Sequence, residues 1–252
     1  MMAYDDDEAL LRRRLTELAQ RADRMGFPTF SEFLTPPQAQ WAFAAAREAG
    51  VTVALSGGFE DAERQMARFL PADSWEEPYP ICALLLTWPH QTAPTHRDLL
   101  GSVMGLGIRR GLVGDIVVEK EQAYLFAESA MCQHISSVLA SAGRVHLQVQ
   151  LLEELPTPQP PEGREVRDTV SSPRLDAVVA GGFSISRAKA AALINAGHVK
   201  LRHTPCIRTD AHVGEGDVIS VRGLGRLKLC EIGQPTRKGS YPLNMLRFGE
   251  GK

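Results

Sequence analysis

Apolar residues near the N-terminus recur at the spacing of an amphipathic helix. The stretch Glu8–Met25 carries, on one side, Leu10, Leu11, Leu15 and Leu18. A second helix is predicted at Gln38–Glu48, because Thr35 can cap its start, prolines follow the cap, and Gly50 ends it. The remaining elements predicted here are a strand at Val51–Leu55, a turn at Ser56–Gly58 and a further helix at Glu60–Leu70. Residues 1–80 are therefore predicted to form a mostly helical α/β domain.

The next region begins with a continuous apolar run at Ile81–Trp88, which is typical of a buried strand. The elements predicted after it are a helix at His96–Gly107, strands at Asp115–Val118 and Ala123–Phe126, a helix at Ser129–Ala142 and a strand at Val145–Val149. The order βαββαβ predicts a ferredoxin-like domain over residues 81–152. Its strands offer Leu, Val and Ile where an RNA-recognition motif carries stacking aromatic rings, so we expect contact with RNA by charge but not by base stacking.

Residues 153–170 are predicted to be a linker followed by an edge strand. Four prolines within Pro156–Gly163 favour an extended spacer, and Glu165–Val170 supplies the strand. The remaining residues, 171–252, are predicted to form a compact basic module, and the overall fold class is α+β. Its predicted elements are a helix at Arg174–Ala180 that stops at Gly181-Gly182, a helix at Arg187–Ala196, a turn at Gly214–Asp217, and strands at His198–Arg202, Val218–Val221 and Arg226–Leu229.

Charge is distributed unevenly along the chain. The formal net charge of the 252 residues is −2, but residues 1–170 carry −9 and the remaining residues carry +7. Such an asymmetry points to a nucleic acid or membrane contact at the basic end. No apolar run approaches the roughly 18 residues of a membrane span, so no membrane-spanning segment is expected.

The second helix of the basic module is the strongest candidate for a phosphate contact. Ser186 can cap it, Gly197 can end it, and its buried stripe is predicted to be Ala188, Ala191, Ala192, Leu193 and Ile194. Arg187 and Lys189 lie in the first turn, where the helix dipole disfavours positive charge. An anion bound at this helix start would compensate for that cost, so their placement favours an anion site. The alternative is a solvated basic face. The predicted RNA-binding residues are Arg174, Ser186, Arg187, Lys189, Lys200, Arg202, Arg222, Arg226 and Lys228, together with Arg109 and Arg110, for which a solvated loop is the alternative.

The apparent catalytic, metal and cofactor motifs in the sequence are each incomplete. His96-Arg97-Asp98-Leu99 mimics a kinase catalytic loop but has Val103 where the magnesium-binding Asn would stand, so Asp98 is expected to be a helix-start acid. The glycines at Gly105–Gly111 follow a helix and fail the dinucleotide pattern. The four cysteines are widely spaced, so we expect buried reduced thiols, no metal site and no cofactor. The acidic N-terminus has no signal core, which favours the cytoplasm.

Part of the basic module resembles a known RNA-binding unit. Arg174-Leu175-Asp176, Ser186–Ala190, Gly197-His198-Val199 and Gly216–Ile219 are similar to the alpha-L module of a small-subunit ribosomal protein, tyrosyl-tRNA synthetases and pseudouridine synthases. One departure is Arg202-His203, where such modules often have Asn-Gly. The resemblance implies an RNA-binding surface on this module.

Segments further upstream resemble the YlmH family of bacterial RNA-binding proteins. They are Ser56–Arg64, Thr95–Gly101, Gly105–Arg110 and Gly114–Val117. The resemblance implies a cytosolic protein that binds ribosomal RNA and tRNA on the large ribosomal subunit, in rescue or quality control of stalled translation, without chemistry of its own. We expect a monomer.

Two other functions remain open. Pseudouridine synthases carry an alpha-L module and use an Asp in an Arg-Leu-Asp setting, which Asp176 matches. The same triplet is structural within the alpha-L match, so we expect no catalysis. A protein-binding adaptor that uses the acidic N-terminal part is the third interpretation, and the positive charge of the C-terminal part argues against it as the sole role.

Overall fold

The computed structural model describes residues 2–72, 74–89, 93–159, 163–237 and 239–249. Within these residues the chain is a mixed α/β protein with six α-helices and several antiparallel sheets. It divides into two compact units, residues 1–159 and 160–252. We call these the first and the second unit. The predicted boundary at residue 80 lies inside the first unit, and the predicted edge strand belongs to the second.

The first unit begins with two helices packed on a three-stranded sheet. Its elements are α1 (Met2–Met25), β1 (Thr29–Leu34), α2 (Pro36–Ala49), β2 (Thr52–Ser56) and β3 (Gln65–Leu70), and the sheet order is β1-β3-β2. Leu15 of α1 and Phe69 of β3 are fully buried in the core between helices and sheet. Leu10 is 66% exposed, so the predicted leucine stripe is buried only in part.

The helix predicted at Glu60–Leu70 is wrong, because residues 65–70 form β3. This strand lies between β1 and β2, and Met66, Ala67, Arg68 and Phe69 are all buried. A strand covered on both faces shows no alternation of apolar and polar residues, so its pattern cannot be told from that of a buried helix. The start of α2 agrees with the prediction: the Thr35 N–H donates to Gln38 Oε1 at 2.8 Å, and Gly50 takes the left-handed conformation at its end.

The rest of the first unit is built on a four-stranded sheet. Its elements are β4 (Ile81–Thr87), α3 (His96–Gly105), a 3₁₀ turn (Arg110–Leu112), β5 (Val113–Val118), β6 (Gln122–Glu128), α4 (Ser129–Val138), β7 (Ser141–Ala142), β8 (Val145–His146) and β9 (Gln148–Leu151). The sheet order is β5-β6-β4-β9. The chain order agrees with the predicted βαββαβ order, except that the hairpin β7–β8 replaces the last turn of the helix predicted to reach Ala142. Leu139 already has an extended backbone, which ends α4 before that hairpin.

Two cysteines of the first unit are brought together by this packing. Cys82 of β4 and Cys132 of α4 face each other with their Cα atoms 6.6 Å apart, a separation that a disulfide can bridge, although they are 50 positions apart in the sequence. A disulfide at this position would replace two of the four expected reduced thiols. Sequence spacing could not reveal it, because the contact depends on α4 lying across the sheet. Cys206 and Cys230 are free thiols.

The second unit is a six-stranded sheet with two helices. Its elements are β10 (Arg164–Val170), α5 (Leu175–Phe183), α6 (Arg187–Asn195), β11 (Val199–Leu201), β12 (Thr204–Pro205), β13 (Val218–Val221), β14 (Gly225–Ile232) and β15 (Tyr241–Phe248). The sheet order is β10-β15-β14-β13-β11-β12, so β10 is an edge strand as predicted. Its partner β15 was not predicted. Residues 160–162 of the predicted linker lie outside the described residues.

Helix α5 continues through Gly181 and Gly182, where the sequence predicted its end. A Cβ atom at Gly181 would collide with the Asp168 carboxylate, and one at Gly182 would collide with the Leu227 side chain. Both glycines therefore allow the helix to approach the sheet closely. The buried stripe of α6 also differs from the prediction, since Ala190 and Ile194 are buried while Ala188 and Ala192 are exposed.

Among the described residues, no single helix is long and apolar enough to cross a membrane. Helices α5 and α6 reach that length and apolarity only when taken together, and they are bent by 118° at the break between them. Eight of the nine residues of α5 are buried within the second unit.

Candidate nucleic acid interface

The start of α6 has the geometry that the sequence predicted. The Ser186 hydroxyl accepts the backbone N–H of Lys189 at 3.2 Å, which caps the helix. Arg187 and Lys189 follow in the first turn, and both are exposed. Two cations therefore stand at a helix end that already favours anions.

A carboxylate beneath these cations joins the two helices. Arg174 donates from Nε to Asp176 Oδ1 at 3.2 Å, and Arg187 donates from Nη2 to Asp176 Oδ2 at 2.9 Å. The Asp176 side chain is only 12% exposed, whereas those of Arg174 and Arg187 are 44% and 56% exposed. The two guanidinium groups are thus held from below by one carboxylate. No local sequence pattern indicates this link, because Arg187 is 11 residues from Asp176 and lies on another helix.

The hairpin between β11 and β12 contains an unusual turn. Leu201 pairs with Thr204, so Arg202 and His203 form a two-residue loop, with φ of 51° and 66°. Such loops need a positive φ at both positions, which is why Asn-Gly is favoured there. Arg202-His203 therefore forms the same kind of two-residue turn with residues other than Asn-Gly.

A second carboxylate holds the arginine of this turn. Arg202 donates from Nε and Nη2 to the two oxygens of Asp217, at 2.6 and 2.9 Å, and Nη2 also lies 3.3 Å from the His212 carbonyl. Burial alone would raise the pKa of Asp217, but hydrogen bonds from Arg202 and from the Gly214 N–H outweigh it and hold that pKa below its usual value. The Asp217 side chain is 13% exposed and that of Arg202 is 60% exposed.

His212 connects the two ion-paired groups. The backbone of Arg174 forms an isolated β-bridge with His212, and Arg202 approaches the carbonyl of the same residue. Arg174 and Arg187 are therefore linked through Asp176, and Arg202 is linked to the backbone of Arg174 through His212. We call these three residues the arginine strip.

The other predicted cations lie on a different surface. Across the sheet, Lys200 pairs with Ser220, Ser220 with Arg226, and Arg226 with Phe248. Residues directly opposite each other share a face. Lys228 lies two residues beyond Arg226 and so shares it too. The alternate residues Val199, Ile219 and Leu227 belong to the core under α5 and α6. Lys200, Arg226 and Lys228, which we call the sheet face, are therefore on the side away from the helices.

The predicted cations are therefore divided. The sheet face lies on the side away from α5 and α6, whereas Arg174 and Arg187 lie at the helix starts and Arg202 lies in a turn. Arg222 lies in the turn between β13 and β14; it is exposed, and its backbone N–H donates to the His198 carbonyl at 2.9 Å. The predicted strand His198–Arg202 would place Arg202 on the same face as Lys200, but β11 ends at Leu201 and Arg202 lies in the left-handed turn.

Arg109 and Arg110 lie in the first unit and already have protein partners. Arg109 Nη2 is 2.7 Å from Glu32 Oε1, and the Arg109 side chain is 65% exposed. Arg110 is half-buried and donates to the carbonyls of Val113 and Gly114. Burial lowers the pKa of Arg110. The guanidinium of Arg110 therefore closes the turn before β5.

Asp98 is a helix-start acid, as expected. Its carboxylate accepts the backbone N–H of Thr95 at 3.0 Å and the Thr95 hydroxyl at 2.6 Å, and these bonds hold its pKa below the usual value. Its own N–H donates to the Thr95 hydroxyl, which completes a capping box at α3. Among the described residues, no group of three or more His, Cys, Asp or Glu side chains could hold a metal ion.

Comparison with known proteins gives a consistent result. Residues 76–155 match the family model described as "Putative RNA-binding domain in YlmH". A curated relative from Bacillus subtilis (strain 168), named "Ribosome-associated protein quality control protein P2", is 30% identical over 245 residues, covering 96% of this chain and 93% of the relative. The chain belongs to the YlmH family.

A solved structure titled "Cell division protein ylmH from Streptococcus pneumoniae" is 22% identical, with a TM-score of 0.49, over 58% of this chain and 91% of that chain. In this YlmH-family chain the family model falls on the first unit, around the four-stranded sheet. That region carries 5 Lys and Arg against 9 Asp and Glu. The arginine strip lies outside it, in the second unit.

Proposed function

We propose that this protein binds RNA and acts in ribosome-associated quality control in the cytoplasm. The observation that carries the proposal is the arginine strip, in which three arginines stand over two largely buried carboxylates and remain about half exposed. Arg174 and Arg187 each use one nitrogen on Asp176, so a phosphate can still receive two parallel hydrogen bonds from either planar group, whereas Arg202 keeps only the donors that Asp217 and His212 leave. The family model and the name of the Bacillus subtilis relative support the same role.

The RNA we propose is ribosomal RNA and tRNA on the large ribosomal subunit, bound by a monomer of this protein during rescue or quality control of stalled translation. The alpha-L resemblance of the second unit and its positive charge support this choice. Binding through phosphates should weaken steeply with salt, since each neutralised phosphate adds roughly 0.7–0.9 to the slope of log affinity against log salt concentration.

Crosslinking the protein to RNA in cells and sequencing the attached fragments tests this proposal. We expect fragments of large-subunit ribosomal RNA and of tRNA to dominate. A control with the charge-reversing triple variant Arg174→Glu/Arg187→Glu/Arg202→Glu should lose these fragments. Recovery of messenger RNA alone, or of no RNA above the control, would contradict the proposal.

We propose binding rather than catalysis, although Asp176 matches the setting of a pseudouridine synthase aspartate. Each of its oxygens accepts a hydrogen bond from an arginine, and the side chain is largely buried. Incubation of the purified protein with uridine-labelled ribosomal RNA and tRNA should leave the pseudouridine content unchanged. A rise that disappears in Asp176→Asn would establish the enzyme instead.

A further inference from the structure

An aspartate lies in the middle of the surface that we propose for RNA. By charge alone, Asp176 should repel phosphate and weaken binding. The structure gives it a different setting, because it is 12% exposed and both of its oxygens accept arginine donors. The Asp176 carboxylate is therefore largely shielded from solvent, whereas the side chains of Arg174 and Arg187 that pair with it remain about half exposed.

We propose that Asp176 is a positioning residue that fixes Arg174 and Arg187 as one phosphate clamp. This inference rests on the proposed RNA-binding function. A guanidinium has five N–H donors. Arg174 uses its Nε and Arg187 uses one Nη2 on Asp176, so most donors of both side chains remain for a ligand. Because the long side chains are fixed before binding, less conformational freedom is lost when phosphate docks.

The carboxylate is itself held firmly in place. Asp176 lies in the first turn of α5, where a negative charge is favoured by the helix dipole, and its backbone N–H donates to the Thr209 carbonyl at 3.0 Å. Arg174 caps α5, and Arg187 begins α6. Asp176 therefore joins two cations that come from different helices.

Two substitutions of Asp176 in the full chain separate positioning from charge. Asp176→Asn removes a negative charge, so a purely electrostatic surface should bind ribosomal RNA more tightly, whereas a positioned clamp should bind it roughly tenfold more weakly. Asp176→Glu keeps the charge but moves the carboxylate by one methylene, and the clamp should weaken again. Both variants should also lower the slope of log affinity against log salt concentration by about one, since a phosphate contact is lost.

Asp210→Asn is the matched control. Asp210 is 56% exposed, pairs with Arg208 and also acts electrostatically on Arg174, but it does not hold the clamp. This variant removes the same charge from the same unit and should bind RNA as tightly as the unchanged protein or slightly more tightly. Circular dichroism and thermal unfolding report whether each variant is folded.

The outcomes distinguish this inference from the proposed function. If the unchanged protein does not bind ribosomal RNA, the proposed function fails. If it binds, and folded Asp176→Asn and Asp176→Glu bind as tightly or more tightly, the positioning role is overturned. If neither Asp176 variant folds, the variants Arg174→Gln and Arg187→Gln and their combination decide. A shared clamp predicts that the double variant loses less RNA affinity than the product of the two single fold-losses. A loss equal to that product would overturn the inference.

Discussion

Arg64 and Arg110 of the first unit differ from Arg187 and Arg202 of the second in the groups to which they donate. In the first unit, Arg64 and Arg110 are both half-buried and donate to backbone carbonyls. Burial and the neighbouring Arg110 lower the pKa of Arg64 to about 10. In the second unit, Arg187 and Arg202 stand on largely buried carboxylates and remain more than half exposed. What an arginine can bind therefore depends on which of its donors the fold already uses.

The comparison also separates two reasons for expecting RNA contact. The family model covers residues 76–155, which carry more acidic than basic residues, whereas the arginine strip lies in the second unit. Phosphate contact supplies most of the affinity of nonspecific nucleic acid binding. We therefore expect the second unit to supply most of the RNA affinity, and the predictions below compare the units directly.

The largest effect is expected from Arg187→Ala. This variant should lose on the order of 1–3 kcal/mol of RNA binding, because a charge-assisted contact disappears. Arg187→Lys should recover only part of the loss, since lysine cannot form the paired contact. The matched variant in the first unit is Arg109→Ala, which removes an arginine of similar exposure and should change binding little.

Co-sedimentation with large ribosomal subunits measures these effects, with circular dichroism as the control for folding. Arg174 still pairs with Asp176 when Arg187 is removed, so the fold should survive. Equal losses from Arg187→Ala and Arg109→Ala would break the distinction between the units.

A pair of glycine substitutions compares a tightly packed helix of the second unit with a helix position of the first unit that has free space around it. Gly182→Ala should destabilise the protein by about 1–3 kcal/mol, because the new methyl group would collide with buried Leu227. Gly101→Ala in α3 should instead stabilise it by about 0.5–1 kcal/mol, since nothing lies within 4 Å and alanine favours a helix. Thermal unfolding measures both effects, and a stabilising Gly182→Ala would show that α5 does not approach the sheet closely.

These glycines illustrate what the sequence could and could not predict. Elements marked by caps or punctuation were predicted well, including the starts of α2 and α6 and the order of elements around the four-stranded sheet. Gly181-Gly182 predicted a helix end. Only the tertiary structure shows that α5 continues through them, and that the absence of side chains lets this helix pack closely against the sheet. The central strand β3 was mistaken for a helix because burial on both faces removes alternation.

The candidate site was predicted in its cations but not in its acids. Arg174, Arg187 and Arg202 were named from the sequence, whereas the supporting role of Asp176 and Asp217 was missed. Asp217 lies 15 residues from its partner Arg202, so no local pattern connects the two. The division between the strip and the sheet face also depends on strand register, which the sequence did not determine.

A smaller effect separates the conformation of the β11–β12 turn from its ion pair. Arg202→Ala and Arg202→Gly both remove the pair with Asp217, but glycine adopts a positive φ without strain. The glycine variant should therefore be more stable than the alanine variant by about 1 kcal/mol. Thermal unfolding midpoints give this difference, and equal midpoints would mean that the turn is not left-handed.

The smallest effect is a dependence of stability on pH. The pKa of Asp217 is lowered in the folded protein, so its contribution is present above the ordinary aspartate pKa of about 3.9 and is lost as the pH falls through the lower folded value. When the pH falls from neutral to below the ordinary aspartate pKa, the stability of Asp217→Asn should therefore decrease less than that of the unchanged protein. Thermal unfolding at a series of pH values measures this, and parallel curves would count against the Arg202–Asp217 pair.

Mapping of crosslinks on the protein tests most directly whether the second unit holds the principal RNA-binding surface. The full chain would be irradiated in complex with large-subunit ribosomal RNA, digested, and analysed by mass spectrometry for peptides that carry nucleotides. We expect the crosslinked peptides to concentrate between Arg174 and Lys228, and to decrease in Arg187→Ala. Crosslinks confined to residues 76–155, and unchanged in Arg187→Ala, would contradict the account.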